Sequence, residues 1–460
     1  MIEEDTIAAI STPLGRGGIG LIRISGPTAL KICKKIFIPH TQKISTIKSH
    51  QTVLGKIVDP KHKTEIDQVL LTYFKHPKSF TKEDIVEISC HGSPLLLTQV
   101  LEIVILSGAR LAKPGEFTYR AFINGRIDLT QAEALNDLIQ AKTKYQAQLA
   151  FQQLQGSISQ KLNPLDERLK DIIARCEANV DFEEGEFQFI SYEELSQKMK
   201  EISQELDDLE KSFDKGRIIS EGISLAIVGK PNVGKSSLFN RLLNMERAIV
   251  TEVPGTTRDL IIESANIKGI PIRCIDTAGI RGSEDMIEKE GIRRSQNAIE
   301  QADLIIGLVD GSCSLDNLDH GIIAELQDKN FLLGINKIDL KQKISKKELK
   351  EIVRGQPIVE ISAKTGQGEE MLKAKLLELI IGTDYSTVEE EIITNIRHKT
   401  IISETRMLLG RALKTLHQGL SEEFVLLDLH RAFEKLGEVT GRTPIEDILS
   451  YIFSKFCIGK

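Results

Sequence analysis

No run in this chain of 460 residues approaches the roughly 18 uninterrupted apolar residues that a membrane-crossing helix needs. A membrane location is therefore not expected. The start, Met1-Ile2-Glu3-Glu4-Asp5, lacks the basic and apolar stretches of a secretory signal. Cysteine is sparse. The six thiols (Cys33, Cys90, Cys176, Cys274, Cys313, Cys457) are scattered, and no two have C-x-x-C spacing. That excludes a zinc ribbon and a thioredoxin-like site. Free thiols in a chain of this size fit the cytoplasm. No internal repeat is evident. A large excess of one charge is also missing, since the net charge is −6. The charge is unevenly spread: residues 1–118 carry 15 Lys/Arg against 11 Asp/Glu, and residues 119–216 carry 12 against 19. An acidic total leaves RNA open, because a local basic patch is what meets phosphates. The 41% apolar and 27% charged residues describe a folded protein. At about 150 residues per domain the length allows about three domains.

Ile7–Ile10 and Leu21–Ile24 read as strands around Gly15-Arg16-Gly17-Gly18-Ile19-Gly20. A dinucleotide-binding loop would open a helix. A β-type run follows here, so the glycines predict a hairpin turn. Further strands are expected at Val69–Phe74 and Ile85–Ser89, and a helix at Pro94–Leu106. Residues 1–118 therefore read as an α+β domain. From Ala132 to about Lys215, residues such as Leu149, Leu154, Ile158, Leu162, Leu165 and Leu169 recur mostly three or four apart. That spacing predicts amphipathic helices, with a loop at Glu183-Glu184-Gly185-Glu186. Apolar runs at Ser224–Val228, Ile272–Ile275, Leu304–Val309, Phe331–Ile335 and Ile358–Ile361 are separated by helix-length segments. They predict a parallel sheet with helices on both faces. Helical character returns after about Gly382. The expected organisation is a multidomain α/β and α+β chain. Residues 1–118 form the amino-terminal domain, 119–216 and 383–460 are two parts of a helical domain, and 217–382 are an α/β domain inserted between them.

The inserted domain carries the clearest chemistry. Gly229-Lys230-Pro231-Asn232-Val233-Gly234-Lys235-Ser236 matches G-x-x-x-x-G-K-[ST] between a strand and a helix. Its amides and the helix N-terminus can cradle phosphates, Lys235 reaches the β- and γ-phosphates, and Ser236 binds Mg²⁺. Asp276-Thr277-Ala278-Gly279 follows the second strand, with Asp276 near the metal and the Gly279 amide near the γ-phosphate. Asn336-Lys337-Ile338-Asp339 follows another strand. A carboxylate there accepts two donors from guanine N1 and N2. Ser362-Ala363-Lys364 can contact the base through its backbone. Gly255-Thr256-Thr257-Arg258-Asp259 lies between, with Thr257 as the switch threonine on Mg²⁺. This order predicts a P-loop GTPase domain and GTP as substrate. Ile280 stands where many small GTPases have a water-orienting glutamine. Glu284, Asp285, Glu288 and Glu290 are polar candidates for that role.

With these motifs the chain resembles the tRNA-modification GTPase family MnmE, also called TrmE. The likeness extends to Asp5-Thr6-Ile7, Gly15-Arg16-Gly17-Gly18, Pro114-Gly115-Glu116-Phe117-Thr118 and the terminal Phe456-Cys457-Ile458-Gly459-Lys460. The resemblance implies Glu288 as the catalytic glutamate that positions water. It implies K⁺ held by Asn232 and by a loop matching Thr251 and Val253, with Thr256 close by. The GTP-binding set so completed adds Val233, Gly234, Ser237, Glu252 and Pro254 to the residues already named. The resemblance further implies an amino-terminal domain that dimerises and binds a tetrahydrofolate one-carbon donor through Arg23, Glu87, Arg126 and Lys460. Arg126 stands where the family often has lysine, which keeps the charge but not the geometry. Cys457 is either a nucleophile toward uracil C6 or a packing residue. For Cys90-His91, neighbours on a strand point to opposite faces, which favours a structural role over a catalytic pair. The implied function is a cytoplasmic, homodimeric, K⁺-dependent GTPase. With the FAD-dependent partner MnmG it would modify the wobble uridine of tRNA at C5. A ribosome-assembly GTPase and a non-hydrolysing GTP-binding scaffold are the alternatives.

Overall fold

Alternation with a period of two shapes the first part of the chain. The computed structural model describes residues 5–40, 47–181, 189–245, 264–267, 269–275, 299–381, 393–443 and 445–459. These divide into two compact units. One comprises Met1–Asn136, Leu154–Asp166 and Phe433–Lys460, and the other Asp137–Gln153 and Glu167–Ala432.

The first unit is built on strands β1 (Ile7–Ile10), β2 (Ile19–Ser25), β3 (Phe37–Pro39), β4 (Gln51–Val58), β5 (Glu65–Phe74), β6 (Ile85–His91) and β7 (Arg110–Leu111), in the order β3-β4-β5-β6-β2-β1-β7. Only the β1–β7 pairing is parallel. The glycine run does connect a hairpin: Ile7 pairs with Ser25 and Ile10 with Ile22. Helices Ala29–Ile36 and Pro94–Leu106 cover one face, sharing a core with Ile22, Ile24, Val53, Leu71 and Ile88. On the other face Phe117 and Phe80 cover Ile7 and Ala9 at the β1 end. Toward β3 that face is open, where Ile38, Leu54 and Leu70 stay 57%, 44% and 44% exposed, and Ile19, at the end of β2, is 71% exposed. Leu54 and Leu70 are direct cross-strand partners. Helix Glu116–Ile123 and the carboxy-terminal helix Glu446–Ser454 belong to this unit and share a core through Tyr119, Phe122, Leu449, Phe453 and Phe456.

The second unit holds a sheet of β8 (Ile223–Gly229), β9 (Ser264–Ile267), β10 (Ile270–Cys274), β11 (Leu304–Asp310), β12 (Phe331–Asn336) and β13 (Ile358–Glu360), ordered β13-β12-β11-β8-β10-β9. All five expected strands are present and mutually parallel, and β9 adds an antiparallel edge. Successive residues feed opposite cores, as a doubly covered sheet requires. Leu225, Leu304, Ile306 and Leu308 join Leu238, Leu242, Leu372 and Leu376 on one side. Ala226, Ile305 and Val309 join Ile323, Leu326 and Leu349 on the other.

The sheet is inserted between two helices that pack on each other, Tyr192–Glu221 and Ile396–His417. Arg406 pairs with Asp207 and, at 3.1 Å, with Glu210, and the Lys399 ammonium lies 4.7 Å from the Phe213 ring centroid. Residues 183–186, expected as a loop, lie outside the described residues.

Candidate functional site

The phosphate loop joins β8 to helix Lys235–Met245. Gly234 has φ +106°, and a Cβ there would stand 2.2 Å from Asn336 Nδ2, so only glycine fits. The Lys235 ammonium donates to the carbonyls of Gly229 and Lys230, both at 2.8 Å. Burial pulls its pKa below the ordinary lysine value, so an anion at this position gains a cation that water screens weakly. Lys230 is turned elsewhere, pairing with Asp316 at 2.8 Å and Asp319 at 2.7 Å. Those aspartates form the capping box of helix Asn317–Leu326.

The loops that follow β12 and β13 are tied to this loop. Asn336 is 2% exposed. Its Nδ2 donates to the Val233 carbonyl at 2.7 Å, and its Oδ1 accepts from the Ala363 amide at 2.9 Å. Asn336 is thus a buried strut between the loop after β8 and the loop after β13. Asp339 Oδ1 accepts from Ser362 Oγ at 2.6 Å, and Ser362 Oγ accepts from the Thr365 amide at 3.1 Å. Lys337 adopts φ +65° and pairs with Asp310 at 2.6 Å. Burial acts to raise the Asp310 pKa, but the hydrogen bonds from Lys337 and Ser312 outweigh it and hold the carboxyl below its ordinary value.

The remaining nucleotide residues lie outside the described residues: Thr251, Glu252, Val253, Pro254, Gly255, Thr256, Thr257, Asp276, Thr277, Ala278, Gly279 and Glu288. Lys460 does too. One residue that sequence reasoning missed is tied to these loops. Arg241 carries no sequence signal. It donates to the Ala363 and Lys364 carbonyls, both at 3.0 Å.

In the amino-terminal unit Arg23 and Glu87 are direct cross-strand partners on β2 and β6. Arg23 Nε lies 2.9 Å and Nη2 2.8 Å from Glu87 Oε1. The guanidinium is 5.7 Å and 5.8 Å from the Phe80 and Phe117 ring centroids. The pair therefore stands where the covered part of the sheet face meets its open part. Arg126 is exposed, beyond helix Glu116–Ile123. Cys457 is exposed, and two residues on, the Gly459 carbonyl accepts from Ser11 Oγ at 3.0 Å. Cys90 is buried, which pushes its thiol up to about 12. His91 points outward and binds Asp67 at 2.6 Å. The two do not form a catalytic pair.

Residues 6–126 match the family model described as GTP-binding protein TrmE N-terminus, and residues 129–457 match the MnmE helical domain. The chain is similar along its full length to proteins named tRNA modification GTPase MnmE. Identity is 45% with that of Acetivibrio thermocellus, covering 100% of both chains. It is 44% with that of Thermoanaerobacter pseudethanolicus, covering 99% of both, and 45% with that of Alkaliphilus oremlandii, covering 100% of both.

Proposed function

The chain belongs to the MnmE family and is a GTP hydrolase linked to tRNA modification. We propose that it is a K⁺-stimulated member that modifies the wobble uridine at C5. It adds an aminomethyl or carboxymethylaminomethyl group with a tetrahydrofolate-borne carbon, as a cytoplasmic homodimer acting with the FAD-dependent partner MnmG. One observation carries the reading: the likeness spans the amino-terminal and helical regions as well as the phosphate-loop domain. A GTP-driven assembly factor needs only the last of these. Analysis of tRNA nucleosides from cells lacking this chain is expected to show wobble uridines without their C5 substituent. Unchanged nucleosides would remove the proposed function.

The folate assignment is supported by the Arg23–Glu87 pair beside Phe80 and Phe117. A flat pterin offers an amidine-like pair of N–H donors to Glu87 and a π-face to the rings. Arg126 and Lys460 would meet the glutamyl tail. The apolar side chains of Ile19, Ile38, Leu54 and Leu70 on the open sheet face favour a second copy against them, since burial is worth about 25 cal/mol per Å² of apolar surface.

In the GTPase domain Ser236 and Thr257 would hold Mg²⁺, and Asn232, Thr251, Val253 and Thr256 would hold K⁺. The described members fit. The side chains of Ser236 and Asn232 have no partner among the described residues, and Asn232 takes the φ +63° conformation that turns the loop. Bound there, the cations supply positive charge against that developing on the phosphate oxygens. Lys235 exchanges the Gly229 and Lys230 carbonyls for phosphate oxygens. The Asn336 strut keeps the base half in register while this happens. With Asn232→Ala, turnover in K⁺ is expected to fall to the rate measured in Na⁺. Persistence of K⁺ stimulation would refute the ligand role.

A further inference from the structure

Arg241 lies six residues beyond Lys235, on the helix that opens at the phosphate loop. All three arms of its guanidinium are used. Nε donates to the Ala363 carbonyl at 3.0 Å, Nη2 to the Lys364 carbonyl at 3.0 Å, and Nη1 to Glu369 Oε2 at 3.1 Å. Gly366, at φ +91°, lets the guanidinium lie against the turn, since a Cβ there would stand 2.5 Å from Nη1. The fork therefore grips two successive carbonyls of the base loop and ties them to the phosphate-loop helix.

Fixing a carbonyl also fixes the next amide. The Ala363–Lys364 peptide is trans, and in a planar trans peptide the N–H points opposite to the C=O. With the Ala363 carbonyl drawn to Arg241, the Lys364 N–H must point away from Arg241. Its neighbours are spoken for: the Ala363 amide goes to Asn336 and the Thr365 amide to Ser362. The Lys364 N–H has no partner among the described residues. A donor on the turn whose Ser362 binds Asp339 and whose Ala363 binds Asn336 can meet the 6-position of a purine whose 2-position faces that carboxylate. Guanine presents an acceptor there and adenine a donor.

We propose that Arg241 is a specificity-positioning residue, orienting the Lys364 N–H toward the 6-oxo group of the bound base. It acts through the loop and need not touch the nucleotide. Discrimination at the 6-position then depends on Arg241, whereas discrimination at the 2-position depends on Asp339 alone.

Two nucleotides separate these. 6-Thio-GDP keeps the N1 and N2 donors and weakens only the 6-acceptor. IDP keeps the 6-oxo group and lacks the 2-amino group. Affinities of GDP, 6-thio-GDP and IDP are to be measured on the full chain by calorimetry. The wild type is expected to prefer GDP over 6-thio-GDP by about tenfold, near the upper worth of one neutral hydrogen bond. In Arg241→Lys and Arg241→Met that preference is expected to shrink to about twofold, with the GDP/IDP ratio unchanged. Lysine does not rescue because a point charge lacks the planar fork. An unchanged 6-thio ratio, or equal loss of both ratios, overturns the proposal. Should both variants fail to fold, Glu369→Gln leaves Arg241 in place and loosens one arm. A partial narrowing of the 6-thio ratio alone is expected there, and no narrowing overturns the proposal equally.

Discussion

Replacing Asp339 by asparagine is expected to turn the enzyme from GTP to XTP. The Ser362 hydroxyl dictates the outcome. Its oxygen already accepts the Thr365 amide at 3.1 Å, so its single proton goes to Asp339 Oδ1 at 2.6 Å. Ser362 is 2% exposed and cannot turn to water instead. In Asp339→Asn that proton still needs an acceptor, which sets the new Oδ1 toward Ser362 and the new amide Nδ2 toward the base. Guanine then meets a donor with its own 2-amino donor, and two buried groups lose their partners. Xanthine has an oxygen at position 2 and meets that donor correctly. A site built to pair with a polar group rejects its mismatch by about 10⁴, so kcat/KM for GTP is expected to fall by roughly that factor while XTP becomes a substrate. Competition between the two nucleotides in a steady-state assay reads this directly. An undiminished preference for GTP would remove Asp339 from the base site.

Much of this site was legible because its elements announce themselves by continuous apolar runs. β8, β10, β11, β12 and β13 are buried on both faces, and a doubly covered strand needs no polar alternation to be recognised. β4 was not legible. It alternates Thr52, Leu54 and Lys56 on one face with Val53, Gly55 and Ile57 on the other. With Leu54 exposed and Gly55 buried, the polar–apolar rhythm is blurred. β9 and β3 are short edge strands whose pairing is set by their neighbours. The residues flanking the inserted sheet, 119–216 and 383–460, read as one helical domain; in the structure Tyr192–Glu221 and Ile396–His417 pack on each other, while Leu154–Asp166 and Phe433–Lys460 group with the amino-terminal unit. Periodicity does not say which partner a carboxy-terminal helix takes, so the packing of Phe453 and Phe456 against Tyr119 and Phe122 was hidden. Motif spacing named Asn336 and Asp339 together. Burial separates them: Asn336 is enclosed, and Asp339 is exposed. Arg241 was invisible for a related reason. A guanidinium aimed at backbone carbonyls leaves no pattern in side chains.

The other large effect belongs to turnover. In Glu288→Ala the rate of hydrolysis is expected to fall by about 10² to 10⁴, the usual worth of a positioned acid–base group. At 1.36 kcal/mol per tenfold this is ~3 to 5 kcal/mol of transition-state stabilisation. The need for such a group follows from Ile280, which follows Asp276-Thr277-Ala278-Gly279 and has no atom that can orient water. Affinity for GDP should change little, because binding is assigned to Lys235, to the base reader Asp339 and to the loop braced by Asn336. Glu288→Gln separates two ways of acting. If the carboxylate only orients the attacking water through hydrogen bonds, the amide retains part of the rate. If its negative charge or its basicity matters, Gln falls as far as Ala, and the pH dependence of kcat flattens on its acidic side. Single-turnover hydrolysis with nucleotide preloaded distinguishes these from a binding defect. Loss of GDP binding in Glu288→Ala, or an unaltered single-turnover rate, would place the water-positioning group elsewhere among Glu284, Asp285 and Glu290.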